Sequence, residues 1–188
     1  MDKILFVDAC VRENSRTRIL AEYLLERLEG DIERIELNAA KLLPLDADRL
    51  KQREELICVK NYEAEQLQPA VQFSTADVIV IAAPYWDLSF PALLKDYIEN
   101  VTVRGVSFEY DEKGIPVGLC SAQKLIYVMT AGGFAGDLNM GFEYIKSLAS
   151  VLYGISDVIC IKAEGLDIEG NDVEAVMEKA KREISALF

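Results

Sequence analysis

The segment DVIVIAA, residues 77–83, is the clearest strand in the sequence, because it is β-branched and carries no charge after Asp77. An apolar run of this length is typical of a strand that is covered on both faces in a parallel sheet. The run ends at Pro84, and residues 90–100 predict the helix that follows. Pro91 falls near the first turn of this helix, where a missing N–H costs nothing.

Strand and helix patterns alternate outward from this segment to both ends of the chain. Four more strands are predicted at residues 4–7, 32–37, 124–129 and 158–161. Helices are predicted from the N-cap Ser15 to a stop at Gly30, and over residues 142–152 and 173–187. This alternation predicts an α/β fold. We expect one doubly wound domain over residues 1–188, with a five-stranded parallel sheet and helices on both faces.

Residues 38–75 are the least regular part of the chain. Pro44 breaks the region, and two mostly polar helices are predicted at residues 46–59 and 61–73, the second interrupted by Pro69. We therefore expect a long crossover that carries extra helical material. A second irregular part, residues 106–117, has a turn at DEKG and predicts an inserted hairpin or excursion.

The net charge and the hydropathy pattern exclude two classes of partner. The chain has 32 acidic and 20 basic residues among 188, a net charge of −12, which argues against binding nucleic acid or an anionic membrane surface. No apolar run approaches the ~20 residues of a membrane span. The apolar run after Met1 is too short for a signal peptide, so we expect the cytoplasm.

The chain contains no histidine, and its four cysteines form no CxxC pair. Few ligands are thus available for a transition metal, and no metal site is predicted. Cys58 and Cys160 lie in apolar stretches and are predicted to be buried thiols in a reducing compartment.

The loop after the first strand, CVRENSRT at residues 10–17, has the composition of a phosphate site. N–H groups at a helix N-terminus, with the hydroxyls of Ser15 and Thr17, can bind a phosphate, and Arg12 or Arg16 can supply the counter-charge. The alternative is that Ser15 only caps the helix and the arginines are solvated. The loop lacks both GxxxxGK[ST] and GxGxxG, which disfavours ATP and a Rossmann-bound dinucleotide.

Two further loops follow the third and fourth strands of the core. PYWDLSFP at residues 84–91 places two aromatic side chains directly after a buried strand, where a flat ligand could cover them. TAGGFAG at residues 130–136 has adjacent glycines, which let a backbone approach a ligand closely. Each loop alone is more simply a cover for the core or an ordinary turn. All three, however, are predicted at the carboxyl edge of the sheet, where such folds bind ligands.

Four blocks in this order resemble the FMN-dependent NADH-azoreductase and NAD(P)H:quinone oxidoreductase family of flavodoxin-like proteins. Residues 82–100 resemble its Pro-x-aromatic flavin loop and the helix after it, and residues 130–133 its Ser/Thr-x-Gly-Gly loop. Residues 105–119 resemble its GVTFxY…G…GL excursion, and residues 154–165 its GI[ST]DV…AEG region.

The resemblance implies a flavodoxin-like fold with bound FMN. It places the phosphate on Cys10, Ser15, Arg16 and Thr17, next to Arg12, the counter-charge candidate from the composition of the loop. The family usually has serine in place of Cys10. The residues implied to flank the isoalloxazine ring are Pro84, Tyr85, Trp86, Asp87, Leu88, Thr130, Ala131, Gly132 and Gly133. Asp87 stands where the family often has a neutral amide. A carboxylate beside the ring should lower the potential of the flavin.

The resemblance also implies the reaction, in which NADH or NADPH reduces FMN and a quinone or azo compound reoxidises it by ping-pong hydride transfer. The acceptor would be a small aromatic molecule and the enzyme a homodimer. No catalytic side chain is predicted, since the cofactor carries the chemistry. The alternative is a non-enzymatic flavodoxin-type electron carrier or flavin-binding interaction module, which the acidity would suit.

Overall fold

The computed structural model describes residues 1–40 and 42–188. The strands are β1 (Asp2–Asp8), β2 (Gly30–Glu36), β3 (Val78–Ala82), β4 (Phe108–Tyr110), β5 (Pro116–Gly118), β6 (Lys124–Thr130) and β7 (Asp157–Ala163). The helices are α1 (Arg16–Leu25), α2 (Leu37–Ala40), α3 (Ala47–Cys58), α4 (Gln68–Thr75), α5 (Ala92–Val101), α6 (Met140–Leu148) and α7 (Val173–Leu187).

The main sheet is five-stranded and entirely parallel, with the order β2-β1-β3-β6-β7. Alternate residues of its strands point to opposite faces, so Leu5 and Ile79 pack against α4, α5 and α6, while Phe6 and Val80 pack against α1 and α7. The predicted α/β fold with helices on both faces is confirmed. The order changes direction between β1 and β3, the place where such sheets bind ligands.

The start of α1 was predicted correctly, but its end was not. Ser15 is the N-cap, and its Oγ accepts a hydrogen bond from the N–H of Arg18 at 3.3 Å. The helix ends at Leu25, before Gly30, which is the first residue of β2. A Cβ on Gly30 would lie 2.5 Å from the carbonyl oxygen of Asp2. The glycine therefore allows close pairing of β2 with β1 and does not stop the helix.

The crossover between β2 and β3 carries the expected extra helices, with one boundary displaced. Helix α3 begins after Asp46, whose carboxylate accepts from the N–H of Arg49 at 2.9 Å. The second predicted helix does not start at residue 61: a 3-10 turn at Glu65–Leu67 leads into α4. Pro69 lies in the first turn of α4, where it has no intrahelical hydrogen bond to lose. Lys41, also within this predicted region, lies outside the described residues.

The hairpin predicted at residues 106–117 is present as the antiparallel pair of β4 and β5. The burial of Cys58 was wrong, because α3 lies on the surface with none of its residues buried, and the thiol is exposed. Cys160 is half-buried. Among the helices of residues 1–40 and 42–188, none is long and apolar enough to cross a membrane.

Two tyrosines in the core differ in one hydrogen bond. Both Tyr97 and Tyr153 pack edge-on against Phe73 and are almost fully buried. The hydroxyl of Tyr153 is 2.6 Å from Oγ1 of Thr102. The hydroxyl of Tyr97 has no hydrogen-bond partner among the described residues. A buried polar group without a partner destabilises the folded state by about 1–3 kcal/mol.

We therefore expect Tyr97→Phe to raise the free energy of unfolding, because it removes an unpaired hydroxyl and keeps the ring. Tyr153→Phe is the matched control, and it should lower that free energy by about 1 kcal/mol, since it breaks a hydrogen bond. Urea unfolding followed by circular dichroism measures both values. Equal losses in the two variants would show that the Tyr97 hydroxyl is satisfied in solution.

Candidate functional site

The loops that follow β1, β3 and β6 meet at one edge of the sheet, as their position after neighbouring parallel strands requires. They enclose a cavity of about 240 Å³. Its lining comes from all three loops and from the segment after β7: Val11, Arg12, Asn14, Ser15, Arg16, Thr17, Pro84, Tyr85, Trp86, Thr130, Ala131, Gly132 and Asp167. The structure thus brings together the three loops that the sequence singled out.

The first loop presents a run of unused backbone donors. In the described part of the chain, the N–H groups of residues 11–17 donate to no protein acceptor, and the N–H of Cys10 is the last one bonded, to Asp8 at 2.8 Å. The final members of the run are the first N–H groups of α1, where the helix dipole adds partial positive charge. Free donors at a helix N-terminus form an anion site, and they face a cavity in a chain of net charge −12.

The side chains of this loop are held by neighbours. Thr17 is fully buried, and its Oγ1 lies 2.7 Å from Oγ1 of Thr130, which joins the first loop to the third. The guanidinium of Arg16 donates to the carbonyl of Leu166 at 3.0 Å and to the carboxylate of Asp167 at 2.7 Å. Arg12 is exposed and forms no ion pair within residues 1–40 and 42–188, so its charge is free to face an anion.

The aromatic loop is anchored to the third loop and then turns back sharply. The N–H of Tyr85 donates to the carbonyl of Thr130 at 3.0 Å. Trp86 and Ser89 exchange two backbone hydrogen bonds, at 3.1 and 2.7 Å. The two residues between them, Asp87 and Leu88, have φ of 51° and 65°. Positive φ at both central positions is typical of a type I′ turn, which costs energy for side chains other than glycine.

Backbone contacts also hold the third loop in place. The N–H of Ala131 donates to the carbonyl of Ala163 at 2.9 Å, and the N–H of Asp167 donates to that of Gly132 at 2.9 Å. A Cβ on Gly132 would lie 2.3 Å from Oδ2 of Asp167. A side chain at position 132 would therefore displace the carboxylate that pairs with Arg16.

Most of the predicted site residues line the cavity: Arg12, Ser15, Arg16, Thr17, Pro84, Tyr85, Trp86, Thr130, Ala131 and Gly132. Four do not. The side chain of Cys10 is buried beneath the loop, with Sγ 3.8 Å from the carbonyl of Ala82. Asp87 and Leu88 form the exposed tip of the turn, and Gly133 lies beyond the lining. Asp87 therefore does not face the enclosed space.

The sequence-based prediction missed Val11, Asn14 and Asp167 as lining residues. Val11 and Asn14 lie inside the first loop, and neither side chain carries the hydroxyl or positive charge that indicates a phosphate site. Asp167 follows the block at residues 163–165 that carried part of the family resemblance, at the end of β7. Extending the search for loops to this fourth strand end would have found it.

A larger cleft of about 670 Å³ lies at the crossover and α5. Its lining includes Glu33 of β2, Arg49 of α3 and Tyr97 of α5, but no residue from the loops after β1, β3 or β6. The smaller cavity is the candidate site, because it combines free donors, aromatic side chains and the position at which the strand order changes direction.

A family model described as the flavodoxin-like fold matches residues 2–188 of the chain. This chain belongs to the flavodoxin-like fold family. The curated relatives include the FMN-dependent NADH:quinone oxidoreductase 2 of Clostridium acetobutylicum, 34% identical over 97% of this chain and 98% of that protein. The FMN-dependent NADH:quinone oxidoreductase of Lachnoclostridium phytofermentans is also 34% identical, over 96% and 95% of the two chains.

Solved structures share the fold at lower identity. An azoreductase from Bacillus anthracis superposes with a TM-score of 0.86 at 23% identity, over 100% of this chain and 98% of that one. An FMN-dependent NADH-azoreductase from the same species, solved in complex with FMN, has a TM-score of 0.81, also at 23% identity, over 100% and 97% of the chains. The predicted resemblance of this flavodoxin-like chain to azoreductases and quinone oxidoreductases is confirmed.

Burial sets the chemistry of the thiol below the first loop. Removal from solvent raises the pKa of Cys10 from 9.0 to about 12, and the nearby carboxylate of Asp8 acts in the same direction. The thiol is therefore protonated at neutral pH and is neither a nucleophile nor a charge at the site. Cys58, by contrast, is exposed.

We expect Cys58 to react first when the native protein is titrated with a thiol reagent near neutral pH, and Cys10 to react only on unfolding. Because the folded pKa of Cys10 lies above its ordinary value, its contribution to stability is complete below pH 9 and is lost as the pH rises toward 12. Cys10→Ser should flatten the alkaline fall of the unfolding free energy, while Cys58→Ser, the control, should not. Rapid labelling of Cys10 in the folded protein would contradict this assignment.

Proposed function

We propose that this chain is an FMN-dependent NAD(P)H oxidoreductase that reduces quinones or azo compounds by ping-pong hydride transfer. The observation that carries the proposal is the cavity at the carboxyl edge of the sheet, where unused N–H donors of residues 11–17 adjoin Tyr85 and Trp86. The relatives named FMN-dependent NADH:quinone oxidoreductases, each aligned over nearly all of this chain, support the same activity.

The residues present fit FMN. A phosphate needs several donors. Among the described residues, the first loop supplies N–H groups without a protein acceptor, the hydroxyl of Ser15, and Arg12, which forms no ion pair there. A planar ring needs an apolar wall and backbone that can approach closely, and the aromatic loop and Gly132 supply these. We therefore assign the phosphate to residues 11–17 and the isoalloxazine ring to residues 84–86 and 130–132.

Bound FMN would supply the hydride chemistry, and the chain supplies binding and orientation. The ionisable side chains on the lining are those of Arg12, Arg16, Tyr85 and Asp167, and the last is held by its ion pair with Arg16. We propose no catalytic role for any of them, because the cofactor carries the chemistry. The chain's backbone donors would stabilise charge that develops on the bound group.

The cavity of about 240 Å³ falls below the ~300–1,000 Å³ of typical ligand sites, so this chain encloses only part of a molecule as large as FMN. Exposed apolar side chains on the aromatic loop and on the segment after β6 would cover the rest together with a small aromatic acceptor: Trp86, Leu88, Phe134, Leu138 and Met140. This surface also supports a homodimer of subunits that are single domains over residues 1–188. The free thiols of all four cysteines support a cytoplasmic location.

An electron-carrying flavodoxin is the second candidate, and the net charge of −12 favours it, because acidic carriers dock to basic redox partners. The α3 crossover and the hairpin of β4 and β5 argue for the enzyme, since a carrier needs neither. A direct reaction with a nicotinamide nucleotide separates the two functions.

We expect the purified protein to bind FMN and, with FMN bound, to oxidise NADH or NADPH and reduce a small quinone or an azo dye. Without oxygen, adding the nucleotide alone should bleach the absorbance of the oxidised flavin. Initial rates measured while both substrates vary should give parallel lines, because the two bind in turn at one site. If only a reductase protein, and neither nucleotide, can reduce the bound flavin, the carrier function replaces the enzyme.

The phosphate assignment predicts a selective loss of affinity. Replacing Ser15 and Thr17 together with alanine should weaken FMN by roughly tenfold or more and riboflavin much less, because riboflavin has no phosphate and a hydrogen bond to a charged group contributes about 1.5–3 kcal/mol. Fluorescence titration of the apoprotein with each ligand measures both affinities. Equal weakening of the two would show that the hydroxyls serve only the helix cap and the contact with Thr130.

A further inference from the structure

The side chain of Arg18, on the first turn of α1, reaches back under the first loop. Its Nη2 donates to the carbonyl of Cys10 at 2.9 Å. Its Nη1 donates to the carbonyls of Arg12 and Glu13, both at 3.1 Å. Its Nε is paired with Oδ2 of Asp8, the last residue of β1. One guanidinium thus binds three carbonyls of the loop and the end of the strand before it.

Asp8 completes this arrangement from the other side. The carboxylate is almost fully buried, and its Oδ1 accepts from the N–H of Cys10 at 2.8 Å. The hydrogen bond that Arg18 donates to Asp8 is also the main cause of a raised pKa of Arg18, so the guanidinium stays charged. We call Asp8 and Arg18 together the loop clamp.

Because the peptide bond is planar, the loop clamp also fixes the directions of backbone N–H groups in the first loop. In a planar trans peptide, the C=O and the N–H point in opposite directions. Each carbonyl that is drawn to Arg18 therefore directs the N–H of the next residue away from it. The N–H groups so directed are those of Val11, Glu13 and Asn14, and none of them has an acceptor in the part of the chain that the structure describes.

Arg18 itself is not among the residues that line the cavity, whereas Arg12 and Arg16 are. Its charge is matched by Asp8, and its donors are occupied by the loop. An arginine that bound the anion directly would line the cavity, as Arg12 and Arg16 do. This position separates Arg18 from the arginines chosen for counter-charge.

We propose that the clamp of Asp8 and Arg18 is the positioning device of the phosphate site: it holds three loop carbonyls toward Arg18 so that the N–H groups of Val11, Glu13 and Asn14 are ready for an anion. This inference rests on the proposed binding of FMN and deepens it. The loop then needs no rearrangement on binding, and it keeps carbonyl oxygens away from the phosphate, to which they would be repulsive.

The test uses Arg18→Lys, which keeps the positive charge beside Asp8 but cannot span three carbonyls and a carboxylate. We expect the affinity for FMN to fall on the order of tenfold to a hundredfold and that for riboflavin to stay within about threefold, because only the phosphate uses the loop donors. The phosphorus resonance of bound FMN should move toward that of free FMN. A purely structural role would not shift this resonance.

Arg27→Lys is the matched control. Arg27 has the same side-chain exposure as Arg18, 28%, and its Nη1 also donates to a backbone carbonyl, that of Tyr23 at 2.7 Å, but it lies at the opposite end of α1. This change should leave both affinities and the phosphorus resonance unchanged. If Arg18→Lys fails to fold by circular dichroism, Asp8→Asn decides in its place, since it removes the charge that anchors Arg18 and should weaken FMN selectively.

Two results would overturn the clamp: wild-type affinity for FMN in the deciding variant, or equal weakening of FMN and riboflavin. A wild-type protein that binds neither flavin would instead contradict the proposed function. In that case the role of the clamp is tested by titrating both proteins, wild type and deciding variant, with inorganic phosphate while recording the amide N–H resonances of residues 11–17. They should shift in the wild type and not in the deciding variant, and their failure to shift in the wild type would count against the clamp.

Discussion

Strand β1 is hydrogen-bonded along both edges, to β2 and to β3, and the position of the whole candidate site follows from where this strand ends. Its register places Asp8 beside Ala82, so the loops after β1 and β3 begin side by side. The contact between Thr17 and Thr130 then joins the first loop to the loop after β6. Three segments far apart in sequence become one cavity because parallel neighbours end at the same edge.

The loops around the cavity hold backbone N–H groups in positions where they have no acceptor within residues 1–40 and 42–188. The buried side chains of Asp8 and Thr17 have partners, whereas the backbone N–H groups of residues 11–17 have none in the described chain. The turn at Asp87 and Leu88 adds positive φ angles, which side chains adopt at a cost. Unsatisfied donors and strained backbone within one loop cluster are typical of functional sites, because the surrounding sheet holds what the local segment alone would not.

The overall charge of the chain and the charge at the site have opposite effects on an anion. A net charge of −12 repels a phosphate at long range, so binding depends on short-range donors. Two carboxylates beside the first loop are bound, Asp8 to Arg18 and Asp167 to Arg16, while Glu13 within the loop is exposed and does not line the cavity. These ion pairs remove local repulsion and also set the shapes of the first and third loops.

The sequence by itself determined the five parallel strands, the helices between them and the three loops at one edge, because burial on both faces and helical periodicity leave direct patterns in residue order. The family blocks, present in residue order, indicated the flavin. Only the tertiary structure decided that Gly30 starts β2, that Cys58 is exposed, and that Asp167 reaches the cavity from the end of β7. It also decided the role of Arg18, which in sequence is one more charged residue on a helix. Arg18 binds the backbone carbonyls of the first loop. Every residue has a carbonyl, so the sequence does not show which carbonyls point toward Arg18.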